Sequence, residues 1–255
     1  MTKSVCWNGC SFTFGDGFPE NLRDDYVYDR VVSRKFSFDS TNQAKNGSSN
    51  YKIFMKSADA ILSDKYDLVF AQWSTLNRLW LCPGPDSEWF LNDEECPDFK
   101  YRDIYIDPIT SKITKNVFLL MNHDYQNILD VVDYCCILEQ LAQARNSHVI
   151  FINGLLPWCN DLVQPMDKSD LAQSLSQYTK DLLDFDNRDD QEIELFVSKL
   201  KDKFSQMNSK LWVNLFDSFW SNQSDLGPQG HHPGINSHQW MADRVSNYLI
   251  ANQLT

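Results

Sequence analysis

The sequence predicts an α/β fold whose central parallel sheet is covered by helices on both faces. Short apolar segments of strand length, residues 4–10, 67–73 and 148–153, alternate with longer segments whose apolar residues recur at helical spacing. Such alternation is typical of parallel sheets packed between helices. The composition, 42% apolar and 13% aromatic residues, is sufficient for a sizeable core.

The N-terminal part of the chain predicts a short buried strand over 4–10 and two helices. Pro19 predicts the start of a helix over 19–34, because proline is favoured in the first helical turn. Residues 50–63 carry apolar side chains at helical spacing, with Asn50 as a candidate N-cap. We expect a helix in both places.

The middle of the chain combines a buried strand, a long excursion and the strongest helical pattern. Residues 67–73 predict the strand. Residues 82–116 are rich in proline, aspartate and aromatic residues and lack clean periodicity, so we expect an excursion that shapes a substrate pocket. Residues 117–145 predict a long helix that leads into the strand over 148–153.

A second excursion, 156–207, carries two helical patterns at about 168–184 and 189–207. An apolar segment at 211–220 follows, and a loop and an amphipathic helix close the sequence. We expect a single domain over residues 1–255.

Charge restricts the partners of the chain. A formal net charge of −12 disfavours nucleic acid and anionic membrane surfaces, since both need a basic face. A neutral or weakly cationic small-molecule substrate meets no such repulsion. The oligomeric state is left open.

Cysteine and histidine patterns do not indicate a metal or a cofactor. Seven cysteines without a CxxC pair predict neither a disulfide framework nor a zinc knuckle. His231, His232 and His238 lack a carboxylate or cysteine at ligand spacing. The apolar run 147–156 is too short to span a bilayer, and the first residues lack the apolar core of a signal peptide. A cytoplasmic location is expected, with virion association as the alternative.

Polar residues follow the predicted strands at the edge where parallel sheets bind ligands. Ser11 comes directly after the first strand, and the segment "GHHPG" near the C-terminus supplies His231 and His232, with Asp225 upstream. The glycine turn "KNGSSN", 45–50, opens a helix where backbone N–H groups are free. A nucleophile, oxyanion donors and a base therefore follow one another in that order.

These segments resemble the SGNH/GDSL hydrolases, a flavodoxin-like, three-layer α/β/α family of esterases and lipases. "GCSF" around Ser11 looks like the family's first block, "NGSSN" with Gly47 like its second, and "QGHHPG" with His232 like its last. The resemblance implies that Ser11 is the nucleophile, that His232 is the general base and that the N–H groups of Ser11 and Gly47 bind the oxyanion. It implies no cofactor, and it leaves His231 as the alternative base.

Two positions depart from the family pattern. Where the family has aspartate three residues before the histidine, this chain has Gln229, so the orienting group is either that amide or Asp225. The Gly-x-Asn-Asp block is absent from "FAQWSTLNRLW", which leaves Asn77, Asn50 or Arg78 as the side-chain oxyanion donor.

The resemblance implies hydrolysis of a carboxylic ester through an acyl-enzyme. We expect small acyl groups, such as O-acetyl, on a carbohydrate, with transfer to another alcohol as a variant. The alternative is a lapsed scaffold that acts as a binding or structural protein, such as a virion-associated one. Trp73 and Trp80 are candidates for a sugar cleft or for the core, and His238 is expected to be a packing residue.

Overall fold

The computed structural model describes most of the sheet, its helices and the C-terminal loop. The described residues are 2–74, 78–81, 102–105, 124–154, 191, 195, 198–199, 202–203, 205–215, 217–220, 222–228, 230 and 232–255. Most of both predicted excursions, including the helix expected at 168–184, lies outside them.

Six strands are described in the chain. They are β1 (Ser4–Asn8), β2 (Asp39–Asn42), β3 (Leu68–Trp73), β4 (Arg78–Leu81), β5 (Arg102–Tyr105) and β6 (His148–Asn153). Four of them form a sheet in the order β2-β1-β3-β6, in which every neighbouring pair is parallel. The predicted parallel sheet is confirmed. The other two, β4 and β5, pair antiparallel, so the first excursion contains a regular strand that its irregular pattern did not predict.

The described helices are distributed over both faces of this sheet. They are α1 (Ser11–Phe14), α2 (Glu20–Tyr26), α3 (Tyr28–Phe36), α4 (Asn50–Leu62), α5 (Asp124–Ala144) and α6 (Ile235–Ala251). Successive residues of β3 alternate between the two faces: Leu68 and Phe70 pack with α3 and α6, whereas Val69, Ala71 and Trp73 pack with α4 and α5. The α/β class with three layers is therefore confirmed.

The helix predicted over 19–34 is two helices. Val27 has an extended backbone, with ψ of 132°, and separates α2 from α3. This break lets the Tyr28 N–H donate a hydrogen bond to Nδ1 of His238, at 3.3 Å. The prediction of one helix over 19–34 was wrong: the backbone is extended at Val27, and the Tyr28 N–H at the start of the second helix has its partner far along the chain.

Two further boundaries differ from the sequence prediction. The first strand ends at Asn8 rather than at residue 10, because Cys10 already serves as the N-cap of α1. Ser49 is the N-cap of α4, and its Oγ accepts a hydrogen bond from the Lys52 N–H. Asn50 is the first helical residue instead.

Within the described ranges, none of the helices combines the length and apolar character needed to cross a bilayer. The same part of the chain holds no group of three histidine, cysteine or acidic side chains that could bind a metal ion.

Candidate active site

The strand order reverses beside β1, so a crevice is expected where the strands on either side of the reversal end. Ser11 follows β1 at this edge, Ser74 follows β3, and Gly154 follows β6. The predicted nucleophile therefore lies at the edge where open α/β sheets bind their ligands.

Ser11 is the first residue of α1, and its side chain is almost completely buried. Its hydroxyl lies 4.0 Å from Sγ of Cys10, which is a long and weak contact. The Ser11 carbonyl accepts hydrogen bonds from the N–H groups of Gly15 and Asp16, which closes the turn. Its own N–H lies in the first turn of α1, where no partner exists inside the helix.

His232 packs against the turn that carries Ser11. Its ring meets the Phe12 ring edge to face, with centroids 5.8 Å apart, and Nε2 lies 3.6 Å from Oδ2 of Asp16. Gly17 lies against His232, because a Cβ added to Gly17 would lie 2.8 Å from the Cβ of the histidine. The structure thus brings the predicted base to the residue next to the predicted nucleophile.

Asp16 is the acidic residue that the sequence analysis missed. Its Oδ2 accepts a hydrogen bond from Nδ2 of Asn46, at 2.6 Å, in addition to facing His232. It lies only five residues after Ser11. The segment "GDG" marks a tight turn there, but the family pattern directed attention to the carboxylate nearest the histidine in sequence.

Asp225 lies at the N-terminus of α6. Its two carboxylate oxygens accept hydrogen bonds from the N–H groups of Asn236 and Ser237, both at 2.9 Å, and from the Ser237 hydroxyl. Partial burial raises the pKa of this carboxyl, but the hydrogen bonds outweigh it and lower the pKa below the usual value. Its role as the acid of a triad stays a prediction.

Backbone contacts hold the loop between Asp225 and the last helix. The Gly227 N–H donates to the carbonyl of His232 at 2.8 Å, and the Gly234 N–H donates to the carbonyl of Asp225 at 3.0 Å. Leu226 and Pro233 form an antiparallel bridge between them. Asp225 therefore supports the histidine loop through the backbone and the start of α6.

The glycine turn predicted to supply an oxyanion donor lies beside the Ser11 turn. Gly47 has φ of +77°, and the Lys45 N–H donates to the carbonyl of Gly9 at 3.3 Å. The Asn46 side chain reaches Asp16, as described above. Within the described residues the Gly47 N–H donates no hydrogen bond.

Asn50 connects this turn to the end of β3. Its Oδ1 accepts a hydrogen bond from the Ser74 N–H at 2.7 Å, and its Nδ2 lies 3.3 Å from the Ser74 carbonyl. Asn77, Gln229 and His231 lie outside the described residues. The choice among the side-chain oxyanion donors therefore stays a prediction.

The remaining aromatic and histidine side chains near the site differ in burial. Trp73 is fully buried between the sheet and its helices, so it belongs to the core. His238 is also buried: its ring contacts Phe18 and Phe219, and burial lowers its pKa to about 3. Trp220, which the sequence analysis did not single out, is 48% exposed and stacks on Phe12 with centroids 6.0 Å apart.

Comparisons with known proteins give structural likeness only. No family model matches the chain, and neither does any curated protein. Among solved structures, it is similar to a putative lipolytic protein of the G-D-S-L family from Desulfitobacterium hafniense, with 12% identity and a TM-score of 0.47 over 97% of this chain and 100% of the other.

Two further solved structures have comparable likeness. A psychrotrophic esterase from Pseudoalteromonas sp. has 8% identity and a TM-score of 0.48 over 99% of this chain and 100% of its own. An acetyl xylan esterase from Geobacillus stearothermophilus has 12% identity and a TM-score of 0.47 over 97% and 94% of the two chains. The first of these three proteins is named for the G-D-S-L family, and the other two are named as esterases. At such identities the activity has to be argued from the residues of this chain.

Proposed function

We propose that this protein is a serine-dependent hydrolase of carboxylic esters. The contact of His232 with the Ser11 turn carries the proposal, because the histidine packs on Phe12 and faces Asp16, both from that turn. Activation of a serine hydroxyl requires a base beside the nucleophile and a carboxylate beside the base, and a histidine packed on the turn of the serine and facing an aspartate supports both roles.

In the proposed reaction, Ser11 attacks the ester carbonyl while His232 takes the hydroxyl proton. The N–H groups of Ser11 and Gly47 bind the oxyanion of the tetrahedral intermediate. His232 then donates its proton to the leaving alcohol, which leaves an acyl group on Ser11. Water, activated by the same histidine, releases the carboxylic acid. Asp16 stabilises the imidazolium that forms twice in this cycle.

Hydrolysis of p-nitrophenyl acetate tests this proposal. The wild type is expected to show a burst of nitrophenol followed by a slower steady phase, because an acyl-enzyme accumulates. Ser11→Ala and His232→Ala are expected to lose both phases. Ser57→Ala and His148→Ala are matched controls outside the site: Ser57 is buried in α4, and His148 is exposed at the start of β6. Wild-type turnover no higher than that of Ser11→Ala would refute the proposal.

The finer proposal is that the substrate is a neutral sugar carrying O-acetyl groups. The exposed face of Trp220 supports it, because this ring stacks on Phe12, the neighbour of Ser11, and offers a flat platform to the apolar face of a sugar ring. We expect Trp220→Ala to raise KM for an acetylated oligosaccharide several-fold and to leave p-nitrophenyl acetate hydrolysis within about twofold. Equal effects on both substrates would remove the glycan proposal. Adding an alcohol acceptor in the same assay separates transfer from hydrolysis.

A second candidate function is a lapsed scaffold that binds a ligand without turnover. Two observations favour it: Ser11 is 1% exposed, and the Asp225 carboxylate accepts hydrogen bonds from the first turn of α6. In that case the acetylated oligosaccharide binds, by calorimetry, without release of acetate. Cytoplasmic location and virion association stay predictions.

A further inference from the structure

The buried amide of Gln72 lies between the ends of β1, β3 and β6. Gln72 is the fifth residue of β3 and is fully buried, with the buried apolar residues Ala71 and Trp73 on either side. A buried amide without hydrogen bonds is costly, so its partners indicate what it holds.

The partners of Gln72 belong to the two residues that flank Ser11 and Phe12. Its Oε1 accepts hydrogen bonds from the N–H of Thr13, at 3.1 Å, and from the Thr13 hydroxyl. Its Nε2 lies 3.5 Å from Sγ of Cys10. One amide therefore binds the Ser11 turn immediately before and shortly after the nucleophile.

Thr13 is in turn bound at every polar group. Its hydroxyl lies 2.6 Å from the phenol oxygen of Tyr28, and its carbonyl accepts a hydrogen bond from Nδ2 of Asn42 at 2.7 Å. With the Gln72 bonds, these contacts attach the turn to β2, to β3 and to α3. Gln72 supplies the contacts of this set that come from the central strand β3.

Two glycines make the space that the Gln72 amide occupies. A Cβ on Gly154 would lie 2.0 Å from Nε2 of Gln72, and a Cβ on Gly9 would lie 2.9 Å from its Oε1. Neither glycine has a positive φ, so their conformations do not require glycine. The absent side chains make the space that the amide fills.

From this packing we infer that Gln72 is a positioning residue for the nucleophile. It fixes the direction of the Ser11 hydroxyl and of the Ser11 N–H, and it does not touch the substrate. The inference rests on the proposed function for its catalytic consequence. A displacement of about 1 Å at a reacting group can lower a rate about 100-fold.

The test compares Gln72→Met, which keeps the length but not the acceptor, with Gln72→Glu, which keeps an acceptor oxygen. We expect fluorophosphonate labelling of Ser11 to slow about 10- to 100-fold in Gln72→Met and to recover partly in Gln72→Glu. Hydrogen exchange of the peptide spanning 10–16 is expected to quicken in Gln72→Met and to return towards wild type in Gln72→Glu.

Asn214→Leu is the matched control for lost stability. Asn214 is a buried amide at the same edge, and its side chain makes two hydrogen bonds with the backbone of Asn153, both at 2.8 Å. It is expected to lower the melting temperature about as much as Gln72→Met without slowing labelling. Wild-type labelling and exchange in Gln72→Met would overturn the inference. If wild type itself is not labelled, the proposed function fails, and the exchange measurement still decides whether Gln72 holds the turn.

Discussion

Gly17 is the residue whose missing side chain most directly controls the position of His232. It has φ of +99°, and an added Cβ would lie 2.8 Å from the Cβ of the histidine. We predict that Gly17→Ala lowers the rate of ester hydrolysis at least about 10-fold, because the histidine has to shift. The same variant should lower the free energy of unfolding by about 1–2 kcal/mol, since an L-residue is strained at this backbone conformation. Steady-state kinetics and denaturant unfolding measure the two effects.

Gly230 provides the control for backbone strain alone. It has φ of +81°, and nothing lies within 4 Å of the Cβ that an alanine would add. Gly230→Ala should lose similar stability while keeping activity closer to wild type. Equal losses of activity in the two variants would mean that strain, and not the contact with His232, explains the effect.

Asp29 is a buried carboxyl below the Ser11 turn whose ionisation opposes folding. Burial raises its pKa from 3.8 to about 6, although Arg30 and a hydrogen bond from Asn42 act in the other direction. Because the folded pKa is raised, its contribution to the free energy of unfolding is full below pH 3.8 and is lost as the pH rises towards 6.

The Asp29→Asn variant does not titrate, so it avoids this loss. We predict that its free energy of unfolding, relative to wild type, improves by up to about 3 kcal/mol between pH 4 and pH 7. Urea unfolding at the two pH values measures it. A relative stability that falls over this interval would show that the ionised carboxylate stabilises the fold.

At the scale of secondary-structure elements, α6 and the loop before it bind one of the two carboxylates that are candidates for the partner of His232. Asp225 caps α6, whereas Asp16 faces the histidine ring. We predict that Asp16→Asn lowers kcat about 100-fold or more and that Asp225→Asn, which keeps one of the two acceptor oxygens at the start of α6, stays within about fivefold of wild type.

Asp225→Ala separates the two roles further, because it removes the cap. It is expected to lower the free energy of unfolding by about 1–2 kcal/mol with a loss of activity that follows the loss of structure. If Asp225→Asn abolishes turnover while Asp16→Asn retains it, Asp225 is the acid of the site and its contact with α6 is secondary.

The elements also show what sequence patterns can and cannot predict. Short, mostly apolar runs located β3 and β6 within one residue, because both strands are buried on both faces. The same reasoning missed the break at Val27, after which the Tyr28 N–H donates to His238, a partner more than 200 residues away that no local pattern marks.

The sequence marks candidate site residues only where they stand in a local motif. Ser11 directly follows the first predicted strand, and Gly47 stands in a glycine turn that opens a predicted helix, so both are visible in the sequence. Asp16, Gln72 and Trp220 acquire their positions from tertiary packing, since each partner comes from a distant element. No periodicity or spacing in the chain marks such contacts.

The molecule as a whole should lose stability in acid, and His238 is the main reason. Burial lowers the pKa of its ring from 6.5 to about 3, and Asp225 only partly opposes this. Stability is therefore lost as the pH falls from 6.5 towards 3. This shift is larger than the opposite one at Asp29, and the lowered pKa values of Asp67 and Asp225 add to the acid sensitivity.

We predict that His238→Asn lowers the slope of the unfolding free energy against pH between pH 4 and 6.5. The decrease should correspond to about one proton fewer taken up on unfolding. The variant also loses ring contacts with Phe18 and Phe219, so its stability at pH 7 is expected to be lower than wild type. Unfolding in urea across this interval measures the slope. An unchanged slope would mean that other groups take up the proton.

The most direct test of the account is labelling of the purified protein with a fluorophosphonate probe, read by intact mass. The wild type is expected to gain one adduct, and peptide mapping is expected to place it on Ser11. Ser11→Ala and His232→Ala should gain none, whereas Ser57→Ala should label like wild type. A folded wild type that remains unlabelled, or an adduct that persists in Ser11→Ala, would contradict a catalytic serine at this position.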